Sequence, residues 1–322
     1  MRHAIDRLNV KGSVLVIKHG KPWLNYATGN KADTSYLINS VQKSMTATMV
    51  MREVEKHHMK LNDPLSEYFA DVPGAKEVKV KNLLNMTSGL NLAKGKELGT
   101  DPFISDKMNL ASDIANTVFD EKQLGKWHYT AINYILLCGI ISKLEHKSYE
   151  QLFRKTYIQP LKLKQTEFLW SSKAELKASH WLPGYEYRSE LQRYRRFPHA
   201  KAVKDAHDEL GAGSIVMSNH DLAKTMTAIL HGKLLSEKSQ AILFKGQAPT
   251  YYNGGFYNLP RFRAANGAGS GYYTFFRASD DGQNMLIIQS NHTKKGRFVH
   301  LRKKVNNIMS LILRFNKKGW KY

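Results

Sequence analysis

A serine and a lysine three residues apart are the side chains whose types and spacing best suit chemistry. They are Ser40 and Lys43, in the segment Ile38-Asn39-Ser40-Val41-Gln42-Lys43. A serine hydroxyl attacks a carbonyl once a base takes its proton, and a lysine can be that base when desolvation or a nearby cation lowers its pKa. Ser40 is the only serine in the sequence with a lysine three residues on. The spacing predicts nucleophilic catalysis, while a capping serine beside a solvated lysine stays open as the alternative.

A helix must position this pair. The sequence holds no glycine or proline from Ser40 to beyond Glu55, and Asn39 and Ser40 are both good N-cap types. We therefore expect a helix from Asn39 or Ser40 to about His58. Side chains three positions apart share a helix face, so both groups point the same way. Unpaired N–H groups at the helix start favour an alkoxide and a later oxyanion.

Size and charge bound the possible partners. The chain has 322 residues, 42% of them hydrophobic, and a formal net charge of +22. That charge predicts a polyanionic neighbour: nucleic acid, an anionic membrane or an acidic polymer. Cys138 is the single cysteine, so no intramolecular disulfide can form. No apolar run is long enough to span a bilayer, and the start lacks a signal-peptide pattern.

Hydrophobic patterning predicts strands, then a long helical middle, then strands and a final helix. The expected strands are 13–17 and 23–27 near the start, and 255–257, 272–276 and 285–289 near the end. The expected helices are 1–10, 80–86, 110–119, 133–144, 149–157 and 219–230, and a terminal one with Val305, Ile308, Leu311 and Ile312 on one side. Residues 170–204 are interpreted as surface segments. The two ends of the chain are expected to share one sheet, and the middle to form a second lobe.

Five segments, in chain order, carry a resemblance to a known family. They are Ser40-Val41-Gln42-Lys43, Leu61-Asn62-Asp63-Pro64-Leu65-Ser66-Glu67-Tyr68, Leu83-Leu84-Asn85-Met86-Thr87-Ser88-Gly89-Leu90, Pro160-Leu161-Lys162-Leu163-Lys164-Gln165-Thr166, and Gly211-Ala212-Gly213-Ser214 with Ser218-Asn219-His220-Asp221-Leu222-Ala223. From about residue 10 to 292 the chain resembles the serine β-lactamase and penicillin-binding-protein-like family, in its class C and D-alanyl carboxypeptidase/esterase branch.

The resemblance implies an α/β (α+β) fold: a mainly antiparallel sheet flanked by helices, plus a helical lobe, with the active site between them. It implies one catalytic domain over residues 1–322. The sheet lobe would take about 1–38 and 205–322, and the helical lobe about 39–204. Ser40 would be the nucleophile and Lys43 its base.

The family's second motif, Tyr-x-Asn, corresponds to Tyr129-Thr130-Ala131. The resemblance implies that Tyr129 shuttles protons with the lysine, whereas Ala131 stands where the asparagine would bind the substrate amide. An aromatic loop residue that packs on the core is the alternative for Tyr129. The neighbouring His128 is a further candidate base.

The third motif, a cation, a small residue and glycine on a strand, corresponds to Ala265-Asn266-Gly267-Ala268-Gly269-Ser270-Gly271. Asn266 takes the place of the cation. Gly267 and the later glycines suit a close backbone approach to a ligand. An N–H near Gly269, Ser270 and Gly271 is expected to complete an oxyanion hole with that of Ser40. A plain glycine turn remains the alternative.

The two departures point to an ester substrate. A site without the amide-binding asparagine and the carboxylate-binding cation discriminates poorly for those groups. Their absence disfavours β-lactamase and DD-peptidase activity, whereas cleavage of an ester needs neither the asparagine nor the cation. Members with Ser-Val-Gln-Lys and an altered second motif remove D-alanine from teichoic acids, which is the leading hypothesis. Arg261, Arg263 and Arg193–Arg196 are candidate phosphate ligands.

Two other functions stay open: a DD-carboxypeptidase or general esterase, and a catalytically idle envelope-binding protein. The expected partner is teichoic or lipoteichoic acid, or peptidoglycan. Nucleic acid is not expected, because no groove-reading motif accompanies the charge. The basic terminal helix allows membrane-surface contact. No cofactor and no metal site is expected. We expect the extracellular face of a Gram-positive envelope, with a membrane anchor that this chain lacks.

Overall fold

A computed structural model describes residues 1–232 and 234–315; Lys233 and residues 316–322, which the sequence analysis assigned to the sheet lobe, lie outside the described residues. The strands are β1 (Gly12–Lys18), β2 (Lys21–Thr28), β3 (Ser35–Leu37), β4 (Leu90–Leu92), β5 (Thr117–Phe119), β6 (Thr166–Phe168), β7 (Tyr185–Arg188), β8 (Arg193–Arg196), β9 (Ile215–Ser218), β10 (Tyr252–Asn253), β11 (Phe256–Leu259), β12 (Phe262–Gly269), β13 (Tyr272–Ala278), β14 (Met285–Ser290) and β15 (His292–Thr293).

The α-helices are α1 (Arg2–Asp6), α2 (Lys43–Glu55), α3 (Val80–Leu84), α4 (Asp106–Ala115), α5 (Ile132–Glu145), α6 (Tyr149–Phe153), α7 (Lys173–Ala178), α8 (His199–Asp208), α9 (Asn219–Leu230), α10 (Glu237–Leu243) and α11 (Arg297–Phe315). The α6 helix continues as a π-helical turn over Arg154–Ile158, which ends one residue beyond the helix expected at 149–157.

The two ends of the chain share one antiparallel sheet, as expected. In the described part of the chain its order is β10-β11-β12-β13-β14-β1-β2. The first hairpin joins the late strands through the β1–β14 pair, in which Gly12 lies opposite Ser290 and Ile17 opposite Met285. Two smaller antiparallel sheets, β3-β9-β6 and β4-β5, and the mixed sheet β15-β7-β8 lie outside it.

Alternation along β1 gives the sheet a core on each face. Val14 and Val16 join the core against α1 and α11, while Leu15 and Ile17 join the larger core that includes α2, α5 and α9. Side chains alternate between the two faces of a strand, so a sheet covered on both faces reads as a continuous apolar run. The middle of the chain packs its helices mainly in the larger core.

The terminal helix packs on the sheet. Val305, Ile308 and Ile312 are buried, as expected, whereas Leu311 is 37% exposed, so its placement on the buried side was wrong. At 100° per residue, position 311 falls about 100° from the middle of the stripe that the buried residues form. In the part of the chain that the structure describes, no helix is both long enough and apolar enough to cross a bilayer.

The helix expected at 110–119 was misplaced. It begins at Asp106, where the Ser105 hydroxyl caps it by accepting from the Met108 N–H at 3.3 Å, and it ends at Ala115. Residues 117–119 form a strand that pairs with β4. Thr117 and Val118 are β-branched and favour a strand once a partner is present. Residues 170–204, interpreted as surface segments, also contain the β7–β8 pair.

Asp113 gives the helical region a pH-dependent stability. Its side chain is fully buried; Oδ1 accepts from the Gly99 N–H at 2.7 Å, and Oδ2 has no hydrogen-bond partner among the described residues. Burial raises the pKa of this carboxyl to about 7. Because the folded pKa lies above the unfolded one, the contribution to stability is full below about pH 4 and is lost as pH rises through about 7.

We expect Asp113→Asn to raise the free energy of unfolding at pH 8 by about 1–3 kcal/mol, and to change it little at pH 4. The asparagine keeps an acceptor for Gly99, and a neutral amide has no charge to desolvate. Urea denaturation of both proteins at pH 4 and pH 8 measures the difference. Equal changes at the two pH values would contradict this account.

Candidate active site

Ser40 and Lys43 are in contact where the 3-10 turn runs into α2. Ser40 lies in a 3-10 turn over Asn39–Gln42, and the α-helix begins at Lys43, slightly later than expected. Lys43 Nζ donates to Ser40 Oγ at 2.9 Å and to the Ala212 carbonyl oxygen at 3.3 Å. The lysine is 1% exposed. Within the described residues it has no acidic ion-pair partner, so its nitrogen is directed at the serine.

The turn that presents Ser40 is fixed on both sides. Asn39 has φ 47°, in the left-handed region that asparagine tolerates better than most residues, and its amide donates to the Gly269 carbonyl oxygen at 3.3 Å. Gln42 is fully buried; its Oε1 accepts from the Ser214 and Ile215 N–H groups. Gln42 thereby ties the turn to the start of β9, a role that its place in the motif did not predict.

Tyr129 lies over the lysine. Lys43 Nζ is 5.3 Å from the centre of its ring, and the ring packs edge-on against Tyr252 at 5.8 Å. The side chain is 36% exposed. A cavity of about 260 Å³ is lined by Ser40, Tyr129, Tyr252, Gly255, Tyr257, Asn266, Ala268, Phe298 and Arg302. His128 and Ala131 do not line it: the His128 N–H bonds the Met86 carbonyl oxygen, and Ala131 is the residue before α5.

The third motif lies on β12, beyond the end of its pairing with β11. That pairing stops at Ala264, which leaves the edge from Asn266 onward facing the Ser40 turn. A methyl group at Gly267 would collide with the Ile38 carbonyl oxygen, so this glycine permits the close approach. Asn266 and Ala268 line the cavity.

Gly269, Ser270 and Gly271 lie further along and do not line that cavity. Gly269 pairs with Tyr272, so Ser270 and Gly271 turn the chain from β12 to β13. Both turn residues have positive φ, 48° and 85°. The Ser270 hydroxyl donates to Asp205 Oδ2 at 3.1 Å. Ala268 therefore lines the Ser40 cavity, whereas these three residues do not.

Two arginines that the sequence analysis missed lie beside the motif. Arg277, fully buried on β13, donates from Nη2 to Asn266 Oδ1 at 2.8 Å and from Nε to Asn306 Oδ1 at 2.7 Å. Burial, and then the nearby Arg302, lower the pKa of Arg277 to about 9. Arg302, on α11, is the charged side chain among the described residues that line the Ser40 cavity. Neither arginine stands in a local sequence motif. Both become candidates only because the fold brings them close to the third motif.

The earlier phosphate candidates lie in different surroundings. Arg263 sits over the Phe244 ring at 4.9 Å and 3.4 Å from Asp280, so it is already partnered. Arg261 is exposed, as are Arg193, Arg195 and Arg196 on β8. None of these residues lines the Ser40 cavity.

A cluster of Glu53, His58 and Glu145 brings three ligand-type atoms within 4.8 Å of one another. Lys56 Nζ lies 2.7 Å from Glu53 and 2.6 Å from Glu145, and His58 Nδ1 lies 2.8 Å from the other Glu53 oxygen. The lysine already supplies the positive charge there. The arrangement is an ion-pair network at the end of α2.

Comparisons with known proteins identify the family to which the chain belongs. The family model described as "Beta-lactamase" matches residues 4–304. The putative penicillin-binding protein PbpX of Bacillus subtilis is 26% identical over 315 residues, which are 95% of this chain and 77% of that protein. A teichoic acid D-alanine hydrolase of Staphylococcus aureus is 27% identical over 324 residues, 96% of this chain and 77% of that protein.

Two solved structures share the fold. FmtA from Staphylococcus aureus superposes with a TM-score of 0.80 at 24% identity, covering 97% of this chain and 86% of that one. The D-amino acid amidase from Ochrobactrum anthropi SV3 also reaches 0.80, at 18% identity, covering 98% and 97%. These confirm the expected mixed architecture of antiparallel sheet and helices. With the family match over most of its length, the chain belongs to the beta-lactamase family and is a serine hydrolase.

Proposed function

We propose that this hydrolase removes D-alanine esters from teichoic or lipoteichoic acid through an acyl-enzyme on Ser40. The observation that carries the proposal is the 2.9 Å contact from Lys43 Nζ to Ser40 Oγ in a cavity whose charged wall residue is Arg302. The name of the staphylococcal relative supports the same substrate. The net charge of +22 suits a polyanion.

The first half-reaction forms the acyl-enzyme. Ser40 Oγ attacks the ester carbonyl carbon while Lys43 Nζ takes the hydroxyl proton. The N–H groups of Ser40 and Ala268 stabilise the oxyanion. The bond to the polyol oxygen then breaks, and the leaving alkoxide is protonated from Lys43 directly or through the Tyr129 hydroxyl. Water, activated by the same groups, releases D-alanine and restores Ser40.

The surroundings of Asn266 favour an ester over a carboxylate-bearing peptide. Its side-chain oxygen is occupied by Arg277, so this position contributes a neutral amide rather than a cation. Arg302 lines the same cavity and suits a phosphate of the departing polymer. The same guanidinium would also accept a peptide carboxylate, which keeps DD-carboxypeptidase activity as the second candidate.

Release of D-alanine tests the proposal. The enzyme is incubated with D-alanylated lipoteichoic acid and, separately, with a muropeptide that ends in D-Ala-D-Ala. Release from the polymer alone is the expected result. Release from the muropeptide alone would replace the esterase by the carboxypeptidase, with Arg302 as its carboxylate ligand.

We expect Arg302→Gln to raise KM for lipoteichoic acid about threefold to tenfold, with little change in kcat, because a partly exposed charge pair contributes modestly and acts mainly on binding. Hydrolysis of D-alanine ethyl ester, which carries no phosphate, should stay unchanged. Arg314→Gln, an exposed arginine near the end of the same helix, is the matched control. An equal loss on both substrates would show that Arg302 does not act on the phosphate.

We further propose one catalytic domain, with a sheet lobe of about 1–38 and 205–322 and a helical lobe of about 39–204. Its proposed place is the extracellular face of a Gram-positive envelope, where teichoic acids are found. Contact with the membrane surface and exclusion of nucleic acid belong to the same proposal.

A further inference from the structure

A second cavity meets the Ser40 cavity at Ala268. It measures about 960 Å³, and Ala268 lines both cavities. It is also lined by Asn39, Gly213 and Gly269, and by residues of α8. An ester whose carbonyl carbon sits at Ser40 has one substituent on each side of that carbon. With the alcohol toward Arg302, the acyl group points into the second cavity.

The second cavity is acidic in a strongly basic protein. Its lining contains more carboxylates than lysines. The carboxylates are those of Glu97, Asp101, Asp205, Asp208 and Glu209, and the lysines are Lys201 and Lys204. Lys201 pairs with Asp205 at 2.9 Å, and Lys204 with Asp208 at 2.7 Å. Both lysines are thereby neutralised by their own helix. The remaining carboxylates give this side of the cleft a charge opposite to that of the Arg302 side.

The carboxylate of Glu209 lies close to the turn that presents Ser40. A methyl group built on Gly213 would lie 2.5 Å from Glu209 Oε2 and 3.6 Å from the Cα of Asn39, so that oxygen is within about 6 Å of the residue before Ser40. Among the described residues the Glu209 side chain has neither a hydrogen bond nor an ion pair. An unpaired carboxylate beside the nucleophile is available to a cationic substrate group.

Glu209 stabilises the local fold through its backbone carbonyl group. Its carbonyl oxygen accepts from the Ala212 and Gly213 N–H groups, each at 2.8 Å, and from the Ser214 hydroxyl at 3.2 Å. These bonds form the turn that carries Ala212 to Lys43. Replacing the carboxylate by an amide leaves them in place, so the charge can be removed without unfolding the turn.

We propose that Glu209 binds the α-ammonium group of the acyl part of the substrate, and so selects aminoacyl esters over plain acyl esters. The inference rests on the proposed function and deepens it, since a D-alanyl ester carries a free amine that is mainly protonated near neutral pH. The cleft then matches a substrate that is cationic on its acyl side and anionic on its alcohol side. Glu209 contributes charge and direction, and Ser40 with Lys43 performs the chemistry.

The test compares two esters that differ in the amine alone. D-alanine ethyl ester and ethyl propionate are hydrolysed by the wild type and by Glu209→Gln, and kcat/KM is measured for each. The wild type should prefer the alanyl ester. The variant should lose about 10- to 100-fold on the alanyl ester and keep its activity on ethyl propionate. Glu77→Gln, an exposed glutamate in the loop before α3, is the matched control and should change neither.

The outcomes separate this inference from the proposed polymer substrate. An equal loss on both esters, or no preference by the wild type, overturns the ammonium site. Release of D-alanine from lipoteichoic acid is measured with the same preparations. If that release is absent while the preference for the alanyl ester and its loss in Glu209→Gln persist, the polymer proposal falls and the ammonium site stands.

Discussion

Ser40→Ala is expected to abolish acyl turnover, with kcat on lipoteichoic acid falling by at least about 10³-fold. The attacking oxygen is removed, and the remaining cavity can only bind and polarise the ester. The fold should persist, because the substitution deletes one hydroxyl whose partner in the structure is Lys43 Nζ. Release of D-alanine over time, at matched protein concentration, measures the loss.

Ser44→Ala is the matched control. Ser44 lies one turn further on, and its hydroxyl donates to the Val41 carbonyl oxygen at 2.9 Å, away from the lysine. That variant should keep its activity. A fluorophosphonate probe should label the wild type and Ser44→Ala, but not Ser40→Ala. Labelling of none of the three would favour a catalytically idle envelope-binding protein, and persistent turnover in Ser40→Ala would assign the nucleophile elsewhere.

Lys43→Met is expected to lower kcat by about 10²- to 10⁴-fold, the usual contribution of a general base. Stability should stay the same or rise, because a buried ammonium group is costly to desolvate and methionine fills a similar volume. Lys43 is 1% exposed, and its partners are one hydroxyl and one carbonyl oxygen. Thermal unfolding beside the activity assay separates catalysis from folding.

Lys43→Arg gives the sharper comparison. A guanidinium keeps the positive charge but does not give up its proton in proteins, so it cannot act as the base. We expect this variant to be as inactive as Lys43→Met. Retained activity would mean that Lys43 acts through its charge alone, and the proton would then have to leave Ser40 through Tyr129.

Local patterns were enough to predict that Ser40 and Lys43 lie together, and to predict most of the helices and strands. The approach of Ser40 to Lys43 depends on three residues of helical turn, which the sequence determines by itself. Helix α9 has the predicted end at Leu230, because its Ser218 cap and apolar stripe are local too. The helix at 106–115 was displaced because β5 forms only when β4 is beside it, which no local pattern shows.

The rest of the site depends on contacts between distant segments. Arg302 reaches the Ser40 cavity because α11 crosses the sheet there, and Glu209 approaches Asn39 because Gly213 has no side chain. Neither residue stands in a recognisable motif. The glycine-rich composition of 265–271 predicted a segment that approaches a ligand closely. It did not show where the strand ends, which follows only from the pairing of Gly269 with Tyr272.

The position of the first hairpin in the main sheet has a consequence for folding order. Strand β1 pairs with β14 from Gly12 to Ile17, for example Gly12 with Ser290, so β1 is completed by a strand that is synthesised much later. Contacts of such long sequence separation slow folding, because the intervening chain must be closed before they form. During synthesis β1 and β2 have no partner on the β14 side until residues 285–290 have emerged. The main sheet is therefore completed only after β14 has emerged, and a nascent chain cut short before β14 carries an open, apolar strand edge.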